Sequence, residues 1–155
     1  MRLALYQPDI PQNTGTILRM AACLGVSVDI IGPAGFDFSD RAMKRAGLDY
    51  LDSVELHKHV SFASFENWRR KEGLRTVLAT TKASRAYTKF YYRSDDIIML
   101  GRESAGVPEN VCDVADELVV IPVREGLRSL NVAVAAAMIV GEALRQTGGL
   151  ANKFA

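Results

Sequence analysis

The sequence predicts one α/β domain that spans all 155 residues and is built on a mostly parallel β-sheet. The first observation is a β-α-β unit at the start of the chain, with a strand over 3–6, a helix over 13–24 and a strand over 26–31. Such a unit predicts a right-handed crossover between parallel strands. The second observation is a pair of apolar runs, Ile97–Leu100 and Leu118–Pro122, each followed by a polar or glycine-rich loop. In open α/β sheets, strand ends of this kind border a binding crevice.

The middle of the chain predicts four further elements. Either Ser39 or Asp40 supplies the N-cap of one helix, and either Ser61 or Ser64 supplies that of another. Gly47 and Gly73 follow these helices as helix-ending residues. The segment from Thr81 to Arg93 has no clear period, so it is predicted to be a loop with some helix. The four elements are a short basic helix over 39–46, a strand over 51–56, a helix over 64–71 and a strand over 75–80.

The last element is a long helix that opens at Ser129-Leu130-Asn131. Ser129 is explained either as an ordinary helix N-cap or as part of a binding site. From Val132 to Val140 the helix is apolar on all sides and rich in alanine, which predicts that it is wholly buried. Gly141 then interrupts the helix at a cost of about 1 kcal/mol relative to alanine, which predicts a close contact at that position.

The composition excludes several classes of protein. No apolar run approaches the roughly 20 residues that a membrane span requires. The two cysteines are isolated and have no Cys/His spacing typical of a metal site, so neither a disulfide framework nor a metal centre is expected. A soluble cytoplasmic protein without a metal is the expectation. The net charge of +1 conceals a basic middle third, which favours phosphate-containing partners.

Gly101 and Gly106 border a loop directly after an apolar run. Val107 stands where a phosphate-binding P-loop requires lysine, and no Gly-x-Gly-x-x-Gly motif follows any strand. A cofactor without a pyrophosphate therefore fits better than a nucleoside triphosphate or a dinucleotide. Two ordinary turns explain the glycines equally well.

Polar residues elsewhere leave alternatives open. Arg19 is either a solvated helix arginine or a functional cation, and Glu103 is either an exposed carboxylate or its partner. The segment Lys82 to Arg93 combines cations with tyrosines, a pattern that suits unpaired RNA because phosphates bind cations and bases stack on aromatic rings. A solvated loop with its tyrosines against the core is the alternative.

Three stretches together resemble the three motifs of SPOUT-class RNA 2′-O-ribose methyltransferases. The stretches are Pro11 to Arg19, Met99 to Pro108, and Ile121-Pro122 followed by Ser129 to Ala135. Their order and spacing match, and the resemblance covers essentially the whole chain. Leu5 to Gly15 and Arg45 to Tyr50 are most similar to the members that methylate wobble nucleotide 34, cytidine or modified uridine, of tRNA-Leu.

This resemblance implies helices on both faces of the sheet, a C-terminal trefoil knot and a homodimer with active sites shared between subunits. It implies that S-adenosylmethionine binds in the knot, largely through loop backbone, and that tRNA is the partner. The implied catalytic residues are Arg19, Asn13, Glu103, Ser129 and Asn131. The implied cofactor-binding residues are Ala79, Thr80, Gly101, Ile121, Ser129 and Leu130. The implied RNA-binding residues are Arg45, Lys82, Arg85 and Lys89.

Two positions depart from the family pattern. Ala133 stands where many relatives have serine, and Gly141 stands where close relatives carry a larger, sometimes aromatic, residue. Methylation of another tRNA or rRNA nucleotide is therefore one alternative function. A non-catalytic RNA-binding protein on the same fold is another.

Overall fold

A six-stranded, wholly parallel β-sheet forms the centre of the protein. The computed structural model describes residues 1–45 and 50–150, and it describes Asp40, Lys44 and Arg45 by their backbone alone. The spatial order of the strands is β3-β2-β1-β5-β4-β6. The strands are β1 (Arg2–Tyr6), β2 (Ser27–Ile31), β3 (Leu56–His59), β4 (Thr76–Ala79), β5 (Ile97–Leu100) and β6 (Glu117–Val119).

Helices cover both faces of this sheet, as the sequence predicts. On one face, Leu5 and Ile98 pack with Ile17 and Ile139, which come from α1 and α5. On the other face, Met99 packs with residues of α3 and α4. The helices are α1 (Pro11–Leu24), α2 (Asp40–Arg45), α3 (Phe62–Glu72), α4 (Glu109–Val114) and α5 (Val132–Thr147), with short 3-10 helices at Leu51–Ser53 and Tyr87–Lys89.

Helix termini follow local capping chemistry. Helix α1 begins at Pro11, two residues before the predicted start, because the fixed φ of proline suits the first helical position. The Ser61 hydroxyl accepts a hydrogen bond from the Ser64 N–H at 3.2 Å and forms a capping box, which decides between the two serines. Gly25 and Gly73 end α1 and α3 in the left-handed conformation, as predicted. The predicted end of α2 at residue 46 lies outside the described residues.

The predicted strand over 51–56 is wrong. Residues 51–53 form a 3-10 turn, and the strand is instead the polar stretch Leu56–His59 at the edge of the sheet. An edge strand pairs on one side only, so its side chains need not be apolar. Helix α4 was not predicted, because its six residues include Glu109 and Asp113 and carry no apolar period.

Helix α5 begins at Val132 and is capped by Asn131, not by Ser129. The Asn131 Oδ1 accepts hydrogen bonds from the N–H groups of Ala133 at 2.8 Å and Val134 at 3.4 Å. The prediction that α5 is wholly buried is wrong, since Val134 is 49% and Met138 36% exposed. When a helix is apolar on all sides, its sequence does not indicate which face is buried. The buried face of α5 is determined by its packing against α1 and the sheet. No helix in the described part of the chain is long and apolar enough to span a membrane.

Candidate functional site

A cavity of about 510 Å³ lies at the carboxyl ends of β4 and β5, beside the chain that leaves β6. Ala79 and Leu100 end their strands at its wall, and the loop before α5 closes another side. This volume lies within the range typical of small-molecule sites. All six predicted cofactor-binding residues line it, namely Ala79, Thr80, Gly101, Ile121, Ser129 and Leu130.

The loop after β5 is closed on itself by two backbone hydrogen bonds. The Arg102 N–H donates to the Gly106 carbonyl at 2.9 Å, and the Gly106 N–H donates to the Arg102 carbonyl at 2.8 Å. A Cβ atom on Gly101 would lie 2.7 Å from the Gly106 Cα, and Gly106 itself has a φ of +65°. Glycine is therefore required at Gly101 by close approach and favoured at Gly106 by backbone conformation.

Backbone hydrogen bonds also hold the opposite wall of the cavity. The Thr80 N–H donates to the Val119 carbonyl at 2.9 Å, which joins the ends of β4 and β6. The Val120 N–H donates to the Arg85 carbonyl, and the Tyr87 N–H donates to the Val120 carbonyl, each at 2.9 Å. The cavity wall is thus formed largely by strand ends and loop backbone, which fits a ligand that is recognised by main-chain groups.

A chain of side-chain hydrogen bonds connects the three sequence motifs. The Asn131 Nδ2 donates to Asn13 Oδ1 at 2.9 Å, and the Asn13 Nδ2 donates to Glu103 Oε1 at 3.4 Å. These residues come from the start of α5, the first turn of α1 and the loop after β5, and all three line the cavity. The structure therefore brings together four predicted catalytic residues, since Ser129 lies in the same wall.

Glu103 is bound to the loop after β1 as well. Its Oε2 accepts a hydrogen bond from the Asp9 N–H at 2.9 Å. Burial raises the pKa of the Glu103 carboxyl above its ordinary value, while hydrogen bonds from Glu103 and Ser104 lower the pKa of Asp9. Of the two carboxyls, Glu103 therefore takes up a proton before Asp9 as the pH falls. Asp9 is a candidate residue that sequence analysis missed, although its position between two prolines signalled a fixed loop.

Arg19 lies apart from this cluster. Its exposed guanidinium carbon lies 5.0 Å from the centre of the Tyr50 ring, a cation–π geometry, and Arg19 does not line the cavity. Glu103 contacts Asp9 and Asn13, so its predicted alternative role as a partner of Arg19 is not observed. Within one copy of the chain, Arg19 therefore lies outside the cavity that the other predicted catalytic residues line.

The predicted RNA-binding residues lie in different surroundings. Lys82 borders the cavity, whereas Arg85 forms an exposed ion pair with Glu117 at 3.3 Å. Lys89 is exposed in the second 3-10 helix, and Arg45 ends α2 with a side chain that lies outside what the structure describes.

Two cations in the cavity wall were missed by the sequence analysis. Arg102 lies 3.7 Å from the Asp9 carboxylate and donates to Gln7 Oε1 at 3.3 Å. Arg128 lies in the loop before α5. The sequence did contain a signal for each of them: Arg102 lies inside the glycine loop, Gly101 to Gly106, and Arg128 directly precedes Ser129. Of the departures from the family pattern, Ala133 is buried in the first turn of α5. The close contact predicted at Gly141 is wrong within this chain, since a Cβ there would meet nothing within 4 Å.

Comparison with known proteins gives matches over almost the whole chain. The model of the SpoU rRNA Methylase family matches residues 1–141. A tRNA (cytidine(34)-2'-O)-methyltransferase from Beijerinckia indica is 64% identical over 150 residues, which cover 97% of this chain and 94% of the relative. The enzyme of the same name from Escherichia coli K12 is 35% identical over 150 residues, with 96% and 94% covered.

Solved structures give the same picture. A structure described as giving insights into the 2-OH methylation of C/U34 on tRNA superposes with a TM-score of 0.86 at 40% identity, and 94% of each chain is covered. The SpoU methyltransferase AviRb from Streptomyces viridochromogenes, in complex with AdoMet, superposes with a TM-score of 0.83 at 28% identity. That match covers 94% of this chain and 57% of the AviRb chain.

Proposed function

The chain belongs to the SpoU rRNA Methylase family, and from this premise we propose that it is a tRNA (cytidine(34)-2′-O)-methyltransferase. The enzyme transfers a methyl group from S-adenosylmethionine to the ribose 2′-oxygen of wobble nucleotide 34. The observation that carries the proposal is the cavity at the strand ends, where the cofactor-binding positions meet the hydrogen-bonded Glu103, Asn13 and Asn131.

The cavity fits S-adenosylmethionine by its chemistry. Its walls offer backbone groups of the loops at 79–80, 101–106 and 120–131, and a Cβ at Gly101 would collide with the glycine loop. The absence of a P-loop pattern agrees with a cofactor that carries no phosphate. When bound, S-adenosylmethionine would supply an electrophilic methyl group on its sulfonium, which would leave as the thioether of S-adenosylhomocysteine, while the 2′-hydroxyl proton would pass to solvent.

The residues of this chain contribute mainly orientation. Asn13 is held from both sides by Asn131 and Glu103, so its amide is fixed at the cavity edge. In well-oriented systems such positioning lowers a barrier by up to roughly 7–11 kcal/mol. Arg19 binds the phosphate of the target nucleotide and polarises its 2′-hydroxyl, because a guanidinium presents several N–H donors and no acceptor for a proton.

The proposed enzyme is a homodimer that completes each site with residues from its partner. Two observations support this part of the proposal. Arg19 lies outside the cavity of its own chain, and α5 exposes Val134 and Met138 beside α1. A C-terminal trefoil knot and a cytoplasmic location also belong to the proposal. Family membership supports the knot, and a tRNA substrate supports the location.

The test combines the purified protein with methyl-labelled S-adenosylmethionine and tRNA from cells that lack wobble 2′-O-methylation. Digestion and mapping of the label are expected to give a 2′-O-methylated nucleoside at position 34. Label at another tRNA or rRNA nucleotide would retain the family and refute the target. If the protein transfers no label and binds no cofactor, the proposed enzymatic activity is refuted and a non-catalytic RNA-binding protein is favoured.

The Arg19→Ala variant separates the catalytic role of Arg19 from folding. It is expected to abolish methyl transfer and to leave the affinity for S-adenosylhomocysteine nearly unchanged, since Arg19 does not line the cavity. The matched control is Arg70→Ala, which removes a cation with a 65% exposed side chain from α3. Normal turnover in Arg19→Ala would contradict the assigned role.

A further inference from the structure

The segment from Lys89 to Arg93 alternates between exposed and buried residues. Tyr91 is 87% exposed, whereas its neighbours Phe90 and Tyr92 are 3% and 7% exposed. Lys89 and Arg93 are also exposed, and among residues 1–45 and 50–150 neither side chain forms an ion pair. An aromatic side chain between two available cations therefore points away from the core.

The backbone on both sides of Tyr91 is fixed by side chains of other elements. Gln146 on α5 donates to the Phe90 carbonyl at 2.9 Å and accepts from the Tyr92 N–H at 3.1 Å. Arg75 donates to the Tyr91 carbonyl at 3.2 Å. The rings of Phe90 and Tyr92 pack edge to face with centroids 4.8 Å apart.

This fixation has a consequence for binding. An exposed tyrosine on a fixed backbone has only its two side-chain torsions to order when a partner covers it, whereas a residue on a mobile loop also loses backbone freedom. Packing in the core does not explain Tyr91, because the neighbours that pack are Phe90 and Tyr92. The segment therefore has the properties of a preformed contact surface.

We propose that Tyr91 is a second contact for the RNA substrate, on which an unpaired base stacks while Lys89 and Arg93 bind phosphates. Stacking on an aromatic ring beside cations is the usual mode of binding unpaired nucleotides. This inference rests on the proposed tRNA substrate. Two acidic residues lie close to Arg93 in the sequence. Asp95 is exposed, whereas Asp96 is buried and forms an ion pair with Arg75 at 2.7 Å.

Tyr91 and the cavity contact different parts of the RNA. The Tyr91 carbonyl is bound by Arg75, which directly precedes β4, and the segment leads into the amino end of β5. The cavity lies at the carboxyl ends of the same strands. The base that stacks on Tyr91 is therefore not the nucleotide that enters the cavity.

The first test measures steady-state methylation of tRNA by wild type, Tyr91→Ala and Tyr91→Phe. Loss of a stacked base is expected to raise the KM for tRNA about 5- to 150-fold in Tyr91→Ala. Tyr91→Phe keeps the ring and is expected to remain close to the wild type. The control for loss of an exposed apolar side chain is Val60→Ala. Val60 is 86% exposed and follows the edge strand β3, which β2 and β1 separate from β5.

The second test measures how the affinity for tRNA depends on salt. Lys89→Ala and Arg93→Ala are each expected to reduce the slope of log affinity against log salt by about 1. Lys71→Ala, an exposed cation at the end of α3, serves as the matched control. An equal effect of Lys71→Ala would assign the change to net charge and overturn the proposed site.

The failure of this inference is distinguishable from failure of the proposed function. If wild type methylates tRNA and Tyr91→Ala has the same KM for tRNA, the second contact is refuted and the function stands. Exposure of Tyr91 would then favour a protein partner. If wild type does not methylate tRNA, the Kd for tRNA is measured by direct binding to wild type and to Tyr91→Ala, and it replaces the KM in this comparison.

Discussion

Addition of one methyl group at Gly101 tests whether the glycine loop forms the cofactor site. A Cβ at this position would lie 2.6 Å from the carbonyl carbon and 2.7 Å from the Cα of Gly106. Ordinary contacts between carbon atoms are about 3.5–4.0 Å, so the loop must move by roughly 1 Å. Both atoms belong to the backbone, and the pair of hydrogen bonds between Arg102 and Gly106 resists the movement.

The expected magnitude follows from the cost of overpacking. Forcing an extra methyl group into a packed site costs about 1–3 kcal/mol. In Gly101→Ala the loop relaxes into a shifted conformation, and the binding-competent conformation must be restored at that cost. Apparent affinity falls with the fraction of competent protein, so the Kd for S-adenosylhomocysteine is expected to rise about 5- to 150-fold.

The assay is isothermal titration of S-adenosylhomocysteine into Gly101→Ala, with Gly141→Ala as the matched control. The same methyl group at Gly141 meets nothing within 4 Å and removes the helical penalty of glycine. The control is therefore expected to gain up to about 1 kcal/mol of stability, or about 2–4 °C in Tm, with affinity close to the wild type. Unchanged affinity in Gly101→Ala would refute the reasoning about the loop.

Two further predictions concern stability. Arg69→Ala should lower the free energy of unfolding by about 3–5 kcal/mol in urea titrations, because Glu66 would remain buried without the guanidinium now 2.7 Å away. Arg70→Ala removes an exposed partner of the same carboxylate, so a comparable loss there would contradict the role of burial. Hydrogen bonds from Arg145 and Gln146 lower the pKa of Glu142 to about 2, so its stabilising contribution is present above pH 4.5 and is lost as the pH falls towards 2. The difference in stability between wild type and Glu142→Gln should accordingly shrink between pH 5 and pH 2, and a constant difference would exclude this ion pair as its source.

The strands with fully buried side chains were predictable from the sequence. Ile97–Leu100 is buried at every position, and its apolar run predicted the strand, which the structure places between β1 and β4. Glycine signals likewise located the C-terminal ends of α1 and α3. These features depend on local backbone preferences and on burial of whole segments, which a single sequence records directly.

Elements at the edge of the sheet were not predictable in the same way. Leu56–His59 becomes a strand because β2 supplies hydrogen-bonding partners along one side, and its own side chains carry no strand pattern. Helix α4 is short, and the contact that positions it is the burial of Val111 against the sheet. Such elements are selected by their neighbours, so tertiary contacts override weak local propensity.

The sequence by itself determined which positions surround the candidate site. The resemblance to the methyltransferase motifs implied Ala79, Gly101 and Ser129 as cofactor-binding residues, and these residues line one cavity. Only the tertiary structure decided which side chains meet there. Asn13 bonds Glu103 across 90 residues and Asn131 across 118, while Arg19 lies outside the cavity and contacts the Tyr50 ring. Local preferences fix where a strand or helix ends, but the direction of a side chain and its distant partner depend on how the finished elements pack.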